Sequence, residues 1–271
     1  MKVGVFDSGL GGLTVVQALA KSLKDLEVFY IADTLYAPYG EKSKEEILKR
    51  SLDITNYLIL EYQIEALIVA CNTATSAAIK YLREKFPNLI VIGTEPGIKP
   101  AMQTTLSKNI AVLATPATLN GEKYQELLKS LSIAHEINVY GQACKGLVEQ
   151  IESGKVSHID THKMLENWLS PMKEKNVDTI VLGCTHYPLV SNVIKDIMGE
   201  NIKLIETGEA IAKRLESLSS LKINKKSTEF KIIIFYTSKI KKDMINMILE
   251  TWEDGGKIVV MNKEVRNQNE R

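Results

Sequence analysis

The chain lacks most of what would tie it to a secreted framework, a membrane or a nucleic acid. It has only three cysteines in 271 residues, Cys71, Cys144 and Cys184. Their number is odd, they lie far apart, and no C-x-x-C pair occurs. That excludes a disulfide scaffold and suits a reducing, cytoplasmic setting. The formal net charge is +1, too small for the basic footprint of a nucleic-acid-binding surface. No apolar run approaches the roughly 20 residues a membrane helix requires. Asp7 interrupts the first apolar run after four residues, so no signal-peptide core is expected. There is no low-complexity stretch, and no lysine stands out as a Schiff-base candidate for a pyridoxal cofactor.

What is present is a soluble globular balance, 45% hydrophobic and 25% charged residues. Short β-rich runs alternate with helical patterns. Val3–Phe6, Glu27–Ile31, Ala66–Ala70 and Leu89–Ile92 read as strands, with helices at Gly11–Ser22 and Ser43–Tyr62 between the first three. Ser43 and Glu46 have the spacing of a capping box. A second series follows, with strands at Ile110–Leu113, Glu136–Val139, Thr179–Leu182 and Lys203–Ile205 and helices at Leu119–Leu131, Gly146–Ser153, His158–Lys175 and Leu189–Met198. Apolar runs without polar alternation predict strands buried on both faces, hence parallel sheets with helical crossovers. Beyond Glu206 the pattern predicts a helix at Gly208–Leu221, a lysine-rich loop at Lys222–Lys226, a strand at Lys231–Phe235, a helix, a strand at Lys257–Val260 and a frayed NKEVRNQNER tail.

The two series are spaced alike. Cys184 follows Cys71 by 113 positions, and Thr115 follows Asp7 by 108, each at the end of a buried strand. The expected fold is therefore α/β, with two similar parallel-sheet half-domains related by a pseudo-twofold axis and a site in the cleft between them. The expected boundaries are 1–97 with 208–271 for the first domain and 98–207 for the second.

Ligands of open parallel sheets sit beyond the carboxyl ends of the strands, and three motifs fall there: DSGLGG (Asp7–Gly12), CNTAT (Cys71–Thr75) and GCTHYP (Gly183–Pro188). The glycines of DSGLGG suit either a tight turn or close backbone approach to an anion, but the loop lacks the Lys-Ser/Thr of a phosphate loop. Asp7 is either a helix cap or a functional carboxylate. A helix N-terminus favours thiolate over thiol, whose ordinary pKa is about 8.5, and both Cys71 and Cys184 stand between a strand and a helix. Inverting a stereocentre needs two like acid/base groups on opposite faces of one carbon. A pair of thiols at equivalent places fits that need. His186 could tune Cys184 or protonate a carboxylate, and Asn72, Thr73 and Thr185 could cap helices or clamp an amino acid. Two rivals stay open: a Cys3His metal site from Cys71, Cys144, Cys184 and His186, although structural zinc draws ligands from short-spaced pairs, and a non-catalytic anion-binding module.

Together, DSGLGG, ADTLYAPYG, VACNTATSA and LGCTHYPL, in this order, resemble the glutamate racemases, a family of cofactor-independent amino-acid racemases. The resemblance covers about residues 1–210. Aspartate racemases, the alternative, differ at the first glycine loop and carry an acidic residue where His186 stands. The resemblance implies that Cys71 deprotonates D-glutamate and Cys184 L-glutamate, with Asp7 assisting the former and His186 and Glu149 the latter. It implies substrate contacts from Asp7, Ser8, Tyr39, Gly40, Asn72, Thr73, Thr185 and His186, with Thr115 and Thr118 lining the same cleft. It further implies no cofactor, a homodimer, and a role in supplying D-glutamate for peptidoglycan. The chain departs from the family at Ala32, where glycine is usual, at Leu35-Tyr36, where an arginine is common, at Cys144-Lys145, a poor match to a family Cys-Pro, and at Thr237–Lys239 (TSK), which only loosely resembles a family TSG.

Overall fold

The computed structural model describes residues 1–132, 137–219, 230–236 and 257–262. The Lys222–Lys226 loop, the helix expected after Lys231–Phe235, the TSK at Thr237–Lys239 and nearly all of the NKEVRNQNER tail lie outside them. The chain divides into two compact units, one formed by Met1–Thr94 and the segment from Gly208 onward, the other by Glu95–Thr207.

The first unit holds a parallel sheet of β1 (Lys2–Asp7), β2 (Leu26–Ala32), β3 (Ala66–Val69), β4 (Ile90–Gly93), β9 (Phe230–Tyr236) and β10 (Lys257–Asn262), in the order β10-β9-β2-β1-β3-β4. β1 and β3, in the middle of the sheet, are apolar on both faces. All four residues of β3 are buried, as are the last five of β1. Between β1 and β2 runs α1 (Leu13–Ser22), between β2 and β3 α2 (Lys44–Tyr62), and between β3 and β4 α3 (Asn72–Lys85). The start of α2 is the expected capping box: Ser43 Oγ accepts the Glu46 N–H at 3.2 Å, and the Glu46 carboxylate accepts the Ser43 N–H at 2.9 Å. The helix buries Ile47, Ile54, Thr55 and Leu58, as the periodicity predicts, and with them Arg50 and Ser51. Phe6, Ile54, Leu58, Leu67, Leu82 and Phe235 belong to one continuous core cluster of this unit.

The second unit holds a parallel sheet of β5 (Asn109–Ala114), β6 (Asn138–Ala143), β7 (Thr179–Gly183) and β8 (Lys203–Ile205), in the order β6-β5-β7-β8. Its helices are α4 (Ile98–Thr104), α5 (Pro116–Leu119), α6 (Glu122–Ser132), α7 (Leu147–Glu152), α8 (Ile159–Glu174) and α9 (Ser191–Met198); α10 (Gly208–Ser219) returns to the first unit. The expected Leu119–Leu131 helix is two helices, because Thr115 caps α5 and the chain turns at Asn120–Gly121 before α6. The strand expected at Glu136–Val139 begins at Asn138 and runs on to Ala143. Its polar continuation, Gly141-Gln142, is tolerated because β6 is an edge strand with one open side. The short helix α4 was not expected.

The order β2-β1-β3-β4 of the first unit has the same connectivity as β6-β5-β7-β8 of the second. The pairing registers agree to the residue. Val3 stands opposite Ala66 in the first sheet and Ile110 opposite Thr179 in the second. With the six residues of β1 matched end to end to the six of β5, these rungs offset the cysteine-bearing strands by 113 (179 − 66), the separation of Cys71 and Cys184, so the two thiols occupy equivalent positions. The same match pairs Asp7 with Ala114 and Ser8 with Thr115 rather than Asp7 with Thr115. The expected offset of 108 is one residue out because Asp7 is itself the last rung of β1, opposite Ala32.

Candidate active site

The functional candidates of each unit gather at the carboxyl ends of its strands. In the first unit, Asp7 ends β1 and is fully buried. Its Oδ1 accepts the Ser8 N–H at 2.7 Å and its Oδ2 the Gly12 N–H at 2.7 Å. The DSGLGG glycines therefore bend the chain around a carboxylate of its own. Gly12 is fixed by space: a Cβ there would lie 2.8 Å from Asp7 Cβ and 2.9 Å from the Tyr30 hydroxyl. Tyr30 in turn donates to the Gly9 carbonyl at 2.6 Å.

Cys71 is the N-cap of α3. Its sulfur accepts the Ala74 N–H at 3.5 Å and lies 4.0 Å from Ser8 Oγ. Asp7, Ser8 and Cys71 are thus brought together. An N–H of a helix's first turn aimed at sulfur stabilises negative charge there. Beside Cys71, the Asn72 side chain is buried, and neither its Oδ1 nor its Nδ2 has a hydrogen-bond partner among the described residues. Buried amides are almost always paired, so Asn72 is suited to receive a polar ligand. Thr73 is buried in the same turn.

Tyr39 opens a short 3-10 helix, Tyr39–Glu41, that contains Gly40. The ring is buried, and the hydroxyl donates to Asp33 Oδ2 at 2.6 Å. Burial, and next the Asp33 carboxylate, hold the Tyr39 pKa well above that of an ordinary phenol. Asp33, which follows β2, was not among the sequence candidates, and neither was its buried ion-pair partner Arg50.

In the second unit, Cys184 follows β7 and is buried. Its sulfur lies 3.8 Å from Nδ1 of His186, and Nε2 of His186 lies 2.6 Å from Oε1 of Glu152. A carboxylate, an imidazole and a thiol therefore form one relay. Burial favours the neutral imidazole, but the hydrogen bonds to Cys184 and Glu152 outweigh it and raise the His186 pKa well above the usual histidine range. Gly146, at φ +84°, makes the left-handed turn that starts α7, whose last residue is Glu152. Glu149 lies one turn earlier on the same helix, is exposed, and is not the hydrogen-bond partner of His186; the carboxylate on His186 is that of Glu152. Thr185 is buried next to Cys184. Thr115 caps α5 and its hydroxyl lies 3.0 Å from that of Thr118, at the end of β5.

Cys144 takes the place in the second unit that Asp33 has in the first. The Cys144 N–H donates to Ala114 C=O at 2.9 Å, as the Asp33 N–H donates to Asp7 C=O at 2.9 Å. Burial, with the neighbouring Cys184 adding to it, pushes the Cys144 thiol up to about 12, so it stays a neutral thiol. The three cysteines form no disulfide. Among the described residues no group of three His, Cys, Asp or Glu side chains is placed to hold a metal ion.

A family model for Asp/Glu/Hydantoin racemase matches residues 4–215. The chain belongs to this racemase family. It is 64% identical over 250 residues to a glutamate racemase of Aliarcobacter butzleri, an alignment covering 92% of this chain and 96% of that one. Among solved structures, a glutamate racemase isoform of Bacillus anthracis superposes with a TM-score of 0.82 at 31% identity, covering 97% of each chain. An Escherichia coli glutamate racemase in complex with L-glutamate and an activator gives 0.81 at 30% identity, covering 96% of this chain and 98% of that one. The protein is thus an isomerase, and the two α/β halves of this racemase are those of its solved relatives. Among the described residues no helix is long and apolar enough to cross a membrane.

Proposed function

We propose that this racemase interconverts L-glutamate and D-glutamate by proton transfer between two thiols, without a cofactor. The observation that carries the reading is the register match that gives Cys71 and Cys184 equivalent positions beyond β3 and β7. The 64% identity to a glutamate racemase supports the choice of substrate. On this reading the chain has two α/β domains, 1–97 with 208–271 and 98–207, bounds within three residues of the two compact units, which divide between Thr94 and Glu95.

The steps balance without an outside reagent. The Cys71 thiolate takes the α-proton of D-glutamate, and the electron pair left at the α-carbon delocalises into the adjacent carboxylate. The Cys184 thiol delivers its proton to the opposite face, giving L-glutamate, a Cys71 thiol and a Cys184 thiolate. The reverse reaction exchanges the roles, so each sulfur works as acid and as base. Asp7 and Ser8 act beside Cys71. The charged His186, steadied by Glu152 in the role the sequence assigned to Glu149, acts beside Cys184. Asn72, Thr73, Tyr39 and Gly40 in one unit and Thr115, Thr118, Thr185 and His186 in the other bind the carboxylates and the amine. The protein works in the cytoplasm as a homodimer and supplies D-glutamate for peptidoglycan.

The test is racemisation of each glutamate enantiomer by purified protein with no cofactor added, followed by circular dichroism. Conversion in both directions is expected. Turnover of aspartate with none of glutamate would overturn the substrate assignment.

A further inference from the structure

Arg50 is a charged side chain on the buried face of α2, only 5% exposed. Its Nη2 donates to Asp33 Oδ1 at 2.6 Å and its Nε to Asp33 Oδ2 at 3.0 Å, a two-pronged pair. The guanidinium carbon also lies 4.1 Å from the centre of the Tyr36 ring. Asp33 Oδ2 accepts the Tyr39 hydroxyl at 2.6 Å, and the Asp33 N–H donates to the carbonyl of Asp7 at 2.9 Å. Asp33 therefore joins α2 and Tyr39 through its carboxylate, and the strand end that carries Asp7 through its backbone N–H. A cavity of about 170 Å³ lies against Tyr36, Tyr39, Ile47 and Arg50, with exposed Lys42 and Lys49 at its rim, and Tyr39 is also packed in the core of this unit.

The geometry points to Arg50 as a positioning residue of this racemase: through Asp33 and Tyr36 it pins the Tyr39–Gly40 segment in its substrate-binding place. The inference rests on the proposed role of that segment in holding glutamate. Arg50 touches no reacting atom. A lysine keeps the charge but loses the planar fork and the ring stacking, while a glutamine keeps neither and leaves Asp33 buried with an uncompensated charge.

The test compares R50Q and R50K with wild type in glutamate racemisation, with folding checked by circular dichroism. R50Q should raise KM about tenfold while kcat changes less than about threefold, and R50K should fall between it and wild type. A folded R50Q with KM within about twofold of wild type overturns the inference, as does a loss of kcat at unchanged KM. Loss of folding in both variants would assign Arg50 to stability alone and overturns it too. A second readout needs no substrate: the ¹³Cζ resonance of Tyr39, which reports its hydroxyl's hydrogen bond, should shift in R50Q and shift less in R50K. An unchanged resonance in folded R50Q overturns the inference. A shifted resonance in a protein whose wild type does not racemise glutamate would support the pin and count against the glutamate reading instead.

Discussion

Oε1 of Glu152 lies 2.6 Å from Nε2 of His186, and Nδ1 of the same ring lies 3.8 Å from the sulfur of Cys184. Cys71 stands at an α-helix N-terminus, with Ser8, itself bonded to Asp7, beside it. Two halves of equal topology thus surround two equivalent thiols with different groups.

The relay sets a pH dependence. The folded-state pKa of His186 is raised above the unfolded value of about 6.5. Its charged form therefore stabilises the fold fully below about pH 6.5, and that contribution is lost as pH rises through the folded pKa. Glu152→Gln removes the carboxylate that helps raise the pKa. It should lower kcat about tenfold or more and move the alkaline limb of the pH–rate profile to lower pH. Its stability deficit should be larger near pH 6 than near pH 10, measured by urea unfolding. Glu149→Gln, one turn away and exposed, should leave the limb in place. The reverse pattern would return the role to Glu149.

Gly12 predicts a packing defect with a functional consequence. Gly12→Ala places a methyl group 2.8 Å from Asp7 Cβ and 3.1 Å from Ala70 Cβ. Nothing about its backbone forbids alanine, since φ is −61°; the obstacle is space. The expected cost is about 1–3 kcal/mol in urea unfolding, with a loss of activity from the displaced Asp7 carboxylate. Wild-type stability in this variant would mean that the turn yields.

Asp178 predicts a purely structural effect. Burial raises its pKa, but hydrogen bonds from the Thr105 hydroxyl, the Ser107 and Leu106 N–H groups and the Thr179 hydroxyl prevail and hold it at about 2. Because the folded pKa lies below the unfolded value of about 3.9, the charge stabilises the fold above about pH 4, and this is lost as pH falls through about 2. Asp178→Ala should cost about 1–3 kcal/mol near neutral pH while leaving KM unchanged. The difference from wild type should shrink on acidification towards pH 2. A deficit independent of pH would assign the loss to packing.

The elements buried on both faces were the most legible in the sequence. VGVF, ALIVA and TIVL could only be strands of a covered parallel sheet, and Ser43 with Glu46 marked a helix start that the capping box realises. The cysteine equivalence was legible from spacing, because the two strands that carry them differ by the same 113 residues as the thiols. Polar residues at edges and faces were not. Gly141-Gln142 continues β6 only because that strand is an edge. Arg50 sits on the apolar face of α2, where periodicity looks for leucine. Its reason for burial is Asp33, 17 residues away. Glu149 and Glu152 are both acidic residues of α7, and only the contact with His186, 34 residues away from Glu152, separates them.

On the proposed mechanism both thiols carry the proton, one for each face. The most direct measurement is α-proton exchange of each glutamate enantiomer in deuterated water, by wild type, Cys71→Ser and Cys184→Ser. Wild type should exchange and racemise both enantiomers. Cys71→Ser should still exchange the α-proton of L-glutamate and Cys184→Ser that of D-glutamate, with racemisation lowered at least about a hundredfold in each. Undiminished racemisation by either variant, or equal exchange of both enantiomers in both, would contradict the two-thiol account.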